Sequence, residues 1–369
     1  MKKLTACVCV LALLVSLCGC SAKTEKLEIK HRLIVQAMGI DKGENGKIRL
    51  SVQTLNTDVA TNASSNTTPE KLVRCYTAEG ATLAECTEKL TLMTGKNPML
   101  SQNRIVIFSS ELAREGIGSL LDSFVRNNEN RFNVCAALSN GNAHDIIEAD
   151  FGDNVIGARL IQQMLESAGF ETVKTKIYDV TNCILDGNKS AVLPILAAGE
   201  NGIIYDGIGV FRGDRLFLTL AGEAARGINL INNAVQSGML NAGNVSLNIL
   251  KSRTAVKAKL KDGAPSFEIK VEASLAVSEI TADINGKLNT EGIVNIRELC
   301  ENTLKSYIQN ALTQCIIEGN ADTFGFSRRI WRRFPDFYRN NENGLLKNAD
   351  YCIEVKVKIV RTGDSVIKR

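Results

Sequence analysis

The feature that most constrains the fold lies in the last third of the chain. Phe267, Ile269, Val271, Ala273, Leu275 and Val277 are apolar, with Glu268, Lys270 and Glu272 between them. Successive side chains on a strand point to opposite faces, so this run predicts a strand with one buried and one wet face. The run before it repeats the period at Thr254, Val256, Ala258 and Leu260, and Lys261-Asp262-Gly263-Ala264-Pro265 offers the turn between them. From Tyr351 to Arg361, Ile353, Val355, Val357 and Ile359 alternate with Glu354, Lys356 and Lys358. Such a sheet needs a cover. Ile296, Cys300, Leu304, Tyr307, Ile308, Ala311 and Cys315 fall at helical spacing. Roughly 22 residues would make a helix about 33 Å long, enough to span a sheet. Sheet plus long helix predicts an α+β region over 199–369.

Upstream, strand and helix patterns take turns. Arg32–Ile40 and Ile48–Gln53 read as an antiparallel hairpin around Lys42–Gly46, and Leu72–Thr77 resumes the sheet. Thr82-Leu83-Ala84-Glu85 has capping-box spacing, Leu83, Cys86 and Leu90 follow on one helical face, and Gly95 closes the helix. Arg104–Phe108 is a buried strand. Ser109-Ser110 then starts a helical stretch with Leu112, Leu120, Leu121, Phe124 and Val125 inward, broken at Gly116 and Gly118. Asn133–Leu138 is a short strand. Val155–Ala168 is a helix with Ile156, Leu160, Met164 and Leu165 inward, Val173–Leu185 is helical, and Ala191–Leu196 is extended. This alternation predicts a mixed α/β domain over 20–198, with a boundary at Gly199–Gly202. Beyond it come a strand at Gly207–Phe211, a turn at Arg212–Asp214 and a helix from Ala221 to about Asn232. Residues 54–71, rich in Asn, Thr, Ser and Ala, are expected to form a mobile surface loop. The expected fold class is therefore α/β to α+β, with two to three domains and mixed sheets each packed against helices.

The N-terminus sets the address. Lys2 and Lys3 precede an apolar run from Leu4 to Leu17, too short to span a bilayer and shaped like a signal peptide over 1–19. It ends in Leu17-Cys18-Gly19-Cys20, followed by polar Ser21-Ala22-Lys23-Thr24-Glu25. This pattern resembles a bacterial lipobox, in which the Cys20 thiol takes a diacylglycerol and the chain is cut just before it. The alternatives are a plain signal peptide with an incidental cysteine, or a short uncleaved anchor. Several acyl chains hold a protein on a bilayer far better than one. Cleavage would leave 369 − 19 = 350 residues, a soluble body of ordinary globular composition at 44% hydrophobic and 23% charged. Its charge falls from +4 to 4 − 2 = +2 as Lys2 and Lys3 leave, too little to suggest nucleic acid as a partner. Seven cysteines remain: Cys75, Cys86, Cys135, Cys183, Cys300, Cys315 and Cys352. An odd, scattered set reads as buried thiols in a reducing envelope rather than a disulfide framework, with one or two disulfides as the alternative.

Catalytic signals are sparse. His31 and His144 are the only histidines, and neither has a metal-ligand partner at a recognised spacing. No Gly-x-Ser-x-Gly elbow occurs, Gly207-x-Gly209 lacks a third glycine, and Asp150/Asp153 read as solvated loop charges. No cofactor and no enzymatic activity are expected. The dense basic cluster is Arg328-Arg329-Ile330-Trp331-Arg332-Arg333. On a helix, Arg328, Arg329, Arg332 and Arg333 share a face. They read either as a solvated face beside an anchored Trp331 or as a contact for anionic lipid head groups or an acidic partner.

Taken in order, several segments resemble the Ger(x)C family, the lipoprotein C subunits of bacterial spore germinant receptors. They are the Cys20 lipobox; Gly39-Ile40-Asp41; Leu100-Ser101-Gln102-Asn103-Arg104-Ile105-Val106-Ile107-Phe108 with Glu111–Ile117; Leu121-Asp122 with Arg126–Arg131; Gly207-Ile208-Gly209-Val210-Phe211-Arg212; Ala321-Asp322-Thr323-Phe324-Gly325-Phe326; and Arg361-Thr362-Gly363. Gly209 stands where the family usually has alanine. The resemblance implies a three-domain α/β fold, so that the C-terminal region would divide again. It implies a non-enzymatic subunit on the outer face of the spore inner membrane, acting with multi-spanning A and B subunits when small nutrients trigger germination. Cys20 is the one position to which it gives a role. The alternatives are a substrate-binding lipoprotein of a small-molecule importer and an envelope enzyme. The first is disfavoured by an aromatic content of only 5%, and the second by the missing constellation.

Overall fold

The computed structural model describes residues 31–57, 71–126, 131–152, 155–167, 169–200, 202–280, 290–341, 344–362 and 365–366. The expectations for the signal peptide, for Cys20 and for most of the 54–71 loop lie outside the described residues.

Strands β1 (Arg32–Lys42), β2 (Ile48–Leu55) and β3 (Val73–Gly80) form an antiparallel meander. Strand β4 (Asn97–Met99) lies parallel to the start of β1. Strands β5 (Ile105–Ser109), β6 (Cys135–Ser139) and β7 (Val192–Gly199) then extend the sheet in parallel from β1. Strands β8 (Gly202–Arg212) and β9 (Arg215–Leu220) finish it in antiparallel fashion. The order is β3-β2-β1-β5-β6-β7-β8-β9. Its helices are α1 (Leu83–Thr94), α2 (Ser110–Glu115), α3 (Gly118–Arg126), α4 (Ala143–Glu148), α5 (Gly157–Ser167) and α6 (Ile177–Asp186). Helices α1, α2, α3 and α6 cover the face that carries Val106, Phe108 and Leu138. Helices α4 and α5 cover the other, against Ile105, Ile107 and Cys135. With helices on both faces the central strands need no polar side, which is why their sequences are continuously apolar.

The second layer opens with α7 (Gly222–Ile231), β10 (Gly238–Ala242), β11 (Val245–Lys261) and β12 (Ala264–Ile280). It continues with α8 (Thr290–Leu312), α9 (Phe326–Arg333), α10 (Pro335–Asn340), β13 (Asp350–Thr362) and β14 (Ser365–Val366). The sheet runs β10-β11-β12-β13-β14, with β13 parallel to β12. A parallel neighbour needs a crossover, and α8 supplies it. All seven positions expected to mark the face of the long helix are buried. At its end the helix relaxes into a π-helical turn at Thr313–Glu318. Helices α7 and α8 touch through Gly227, where a Cβ would overlap the Tyr307 carbonyl oxygen.

Some expectations need correction. Leu160 is exposed, because α5 buries Ala158, Ile161 and Leu165, and Leu160 stands nearly half a turn from Ala158. Val125 is exposed, since Leu120, Leu121 and Phe124 already fill the inner face of α3. The seven thiols are free, but only Cys86, Cys135, Cys300 and Cys315 are fully buried. Cys352 is exposed because it shares the phase of Lys356 and Lys358 on β13. Residues Gly199 and Gly202 form a hairpin, and β7 and β8 pair across it, so the first sheet continues to Leu220. Strand β8 is shared: Phe211 belongs to the first core, Ile208 and Val210 to the second.

Candidate functional site

The basic helix α9 is placed by a carboxylate and an aromatic stack. Asp322 Oδ1 accepts from the backbone N–H of Phe324 at 3.1 Å and of Phe326 at 3.0 Å, and Oδ2 accepts from Ser327 at 2.7 Å. A carboxylate so held suits the positive end of a helix. Burial pushes the Asp322 carboxyl above its ordinary range, against the pull of these donors. Gly325 takes the left-handed turn into the helix at φ 69°. Phe326 then stacks on Phe267 with centroids 4.4 Å apart and meets Phe324 at 5.1 Å, while Ile330, one turn on, is fully buried. The sequence Ala321–Phe326 is thus a helix-docking device.

This docking turns the four arginines outward. Arg328 lies 3.8 Å from Asp186 at the end of α6. Arg329, Arg332 and Arg333 are exposed and pair with no carboxylate among the described residues. Arg332 and Arg333 sit in the last helical turn, where the helix dipole favours cations. Trp331 is 47% exposed rather than anchored, because Ile330 alone fills the inward position of that turn. The structure therefore presents three exposed guanidinia beside an open indole, with Arg333 lying 5.6 Å from the centre of the Phe334 ring.

The remaining candidates have structural roles. His144 Nδ1 lies 3.0 Å from Ser51 Oγ, and its Nε2 is 3.3 Å from Glu148. His31 is exposed, Asp150 pairs with Lys71 at 3.1 Å, and Asp153 lies outside the described residues. Gly207 and Gly209 are packing glycines: a Cβ would overlap the Leu220 carbonyl oxygen at one and the Leu138 and Leu216 side chains at the other. Among the described residues no three His, Cys, Asp or Glu side chains gather as a metal site, and no helix is long and apolar enough to cross a membrane.

Sequence reasoning missed the roles of Asp41 and Gln53. Asp41 is buried and accepts from the Ala143 and His144 N–H groups at 2.6 and 2.9 Å, capping α4. Gly39 lets that helix approach, since a Cβ there would stand 2.7 Å from Ile147 Cγ1. Gly39-Ile40-Asp41 is thus the seat of α4, and the acidic residue just after a buried strand was the available signal. Gln53 donates to the Ile147 carbonyl at 3.2 Å and accepts from the Ala158 N–H at 3.0 Å, joining α4 to α5. Two cavities open where α6 and the loop after it meet the second core. One, of about 360 Å³, is bordered by Lys174, Asp179, Lys189, Asn229 and Asn232. The other, of about 330 Å³, is bordered by Lys189, Arg212, Asp322 and Tyr338.

Comparison with known proteins finds two family descriptions in series. Residues 25–198 match the spore germination protein N-terminal domain, and residues 206–363 match the "Spore germination B3/ GerAC like, C-terminal" family. The putative spore germination protein YfkR of Bacillus subtilis (strain 168) is 24% identical over 348 residues, 90% of this chain and 88% of that protein. Spore germination protein KC of the same organism is 22% identical over 408 residues, 98% of this chain and 96% of that one. The crystal structure of the GerBC protein shares the fold, with a TM-score of 0.59 over 88% of this chain and 96% of that chain at 16% identity.

Proposed function

The chain belongs to the Ger(x)C family of spore germination proteins, and from that premise we propose that it is the C subunit of a nutrient germinant receptor. In this reading a lipid on Cys20 tethers it to the outer face of the spore inner membrane, and it acts by assembling with multi-spanning A and B subunits, without catalysis. The observation that carries the reading is the succession of both family halves, 25–198 and 206–363, behind Leu17-Cys18-Gly19-Cys20. Helix α9 adds a second contact: Arg329, Arg332 and Arg333 meet anionic head groups or an acidic partner surface, and Trp331 suits a boundary that is apolar on one side and wet on the other.

Replacing Cys20 by Ala in spores of the source organism tests the tether. Nutrient-triggered germination and membrane retention should both be lost while the protein stays folded. Any chain still retained should be released by salt, and by changing Arg329, Arg332 and Arg333 together to Ser. Normal germination with the protein released would sink the tethered-subunit reading.

A further inference from the structure

Lys189 stands in the loop between α6 and β7, half-buried, and borders both cavities at the junction of the two cores. It makes no ion pair or hydrogen bond with the described residues. The carboxylates around it are engaged elsewhere. Asp179 Oδ2 accepts from the Lys176 N–H at 3.1 Å, and Glu166 faces Lys174 at 4.0 Å. Asp186 faces Arg328, and Asp322 is held by three backbone donors. A half-buried ammonium without a partner gives up hydration and gets nothing in return, so an anion that reaches it is bound favourably. Arg212 borders the second cavity and spends Nη2 on the Gly319 carbonyl at 2.8 Å, with its fork stacked 3.6 Å over Phe217.

The first cavity supplies the opposite chemistry. Asn229 gives its Nδ2 to the Phe170 and Thr172 carbonyls at 3.3 and 2.7 Å. Asn232 gives its own to the Thr323 carbonyl at 3.2 Å. Neither amide oxygen accepts a hydrogen bond from the described residues. A cation on one side, amide acceptors on the other and a concavity of this size fit a small molecule rather than a macromolecule. We propose that these cavities bind a small organic acid, its carboxylate on Lys189 and its hydroxyl or amino substituents against Asn229 and Asn232. The occupant would touch the α6–β7 loop of the first half and α7 of the second, so binding would fasten the two together. The inference does not rest on the germination reading.

Thermal unfolding of the full chain tests it, with sodium lactate, glycine, succinate and phosphate as probes against matched sodium chloride. At least one carboxylate should raise the midpoint saturably, as mass action requires of a ligand that binds the folded state. Lys189→Met should weaken the apparent affinity about tenfold or more, and Lys189→Arg should retain it. If Lys189→Met fails to fold, Lys189→Gln, with ligand saturation-transfer spectra on lactate, asks the same question. No saturable response to any carboxylate, a response that survives loss of the Lys189 charge, or a response to phosphate alone would each overturn the proposal.

Discussion

In β5 every residue from Ile105 to Ser109 is buried, whereas along β12 buried and open positions alternate from Phe267 to Val277. The first is an unbroken apolar run to Phe108 and the second sets Glu268, Lys270 and Glu272 between apolar residues, because the number of covering layers differs. Helices close both faces of the first sheet, while α7, α8 and α9 close one face of the second. The open face of the second sheet carries charges in register, with Lys257 opposite Glu268 and Lys270 opposite Glu354. The first sheet is thus a fully enclosed frame. The second is half a sandwich whose outer surface is free to meet solvent or another protein.

The sharpest way to break this contrast is an alanine scan of the two strands. Ile105, Val106, Ile107 and Phe108 should each cost about 2–5 kcal/mol on truncation, with no even–odd pattern, because each loses packing on an occupied face. Along β12, Ile269 and Val271 should cost similar amounts, while Lys270 and Glu272 should stay within about 0.5 kcal/mol of neutral. Urea unfolding of each variant checks this. A flat response along β12 would mean that something covers the wet face in solution.

A smaller effect concerns the devices shared by both regions. Asp41 and Asp322 each hold the N–H groups at the start of a helix, α4 on the first sheet and α9 on the second. Changing either to Ala orphans those donors and should cost about 1–3 kcal/mol. Hydrogen exchange should locate the loss: Asp41→Ala should expose α4 and Asp322→Ala should expose α9, with little crossover. Equal exposure of both helices in either variant would show that the two regions unfold as one unit.

Legibility followed the number of covering layers. The wet-faced strands and the face of α8 could be read residue by residue, since periods of 2 and 3.6 are visible wherever polar and apolar positions alternate. The central strands of the first sheet were found from their apolar runs, but which helix covered which face was not visible. The inner face of α5 was misjudged at Leu160, because several of its residues are apolar and the pattern does not choose among them. Gly199 and Gly202, read as a boundary from composition, turn the hairpin between β7 and β8, a pairing that the sequence pattern did not reveal. For the candidate site, the arginines were plain in the sequence, whereas the exposure of Trp331 depends on how Asp322 and Phe326 seat α9. Lys189 gave no sequence signal at all, since its isolation depends on the engagements of Asp179, Asp186 and Asp322.

The smallest effect bears on the open face itself. Glu354 accepts from Lys270 at 2.7 Å and from Lys356 at 2.8 Å. The bond from Lys270 is the main reason its carboxyl is held down, from 4.5 to about 2. The folded value lies below the unfolded one, so the ionised carboxylate favours the folded state. That contribution is complete above the unfolded value and disappears as pH falls through the window from 4.5 to about 2. All three side chains are solvated, so the effect is modest and screened by salt. Glu354→Gln should therefore lower the urea midpoint slightly at neutral pH and low ionic strength, and match the wild type near about pH 2. Comparing the two chains at each pH cancels the other carboxylates. A variant offset that persists unchanged into acid would mean that Glu354 acts by packing rather than charge, and that the outer ladder contributes nothing electrostatic to the second sheet.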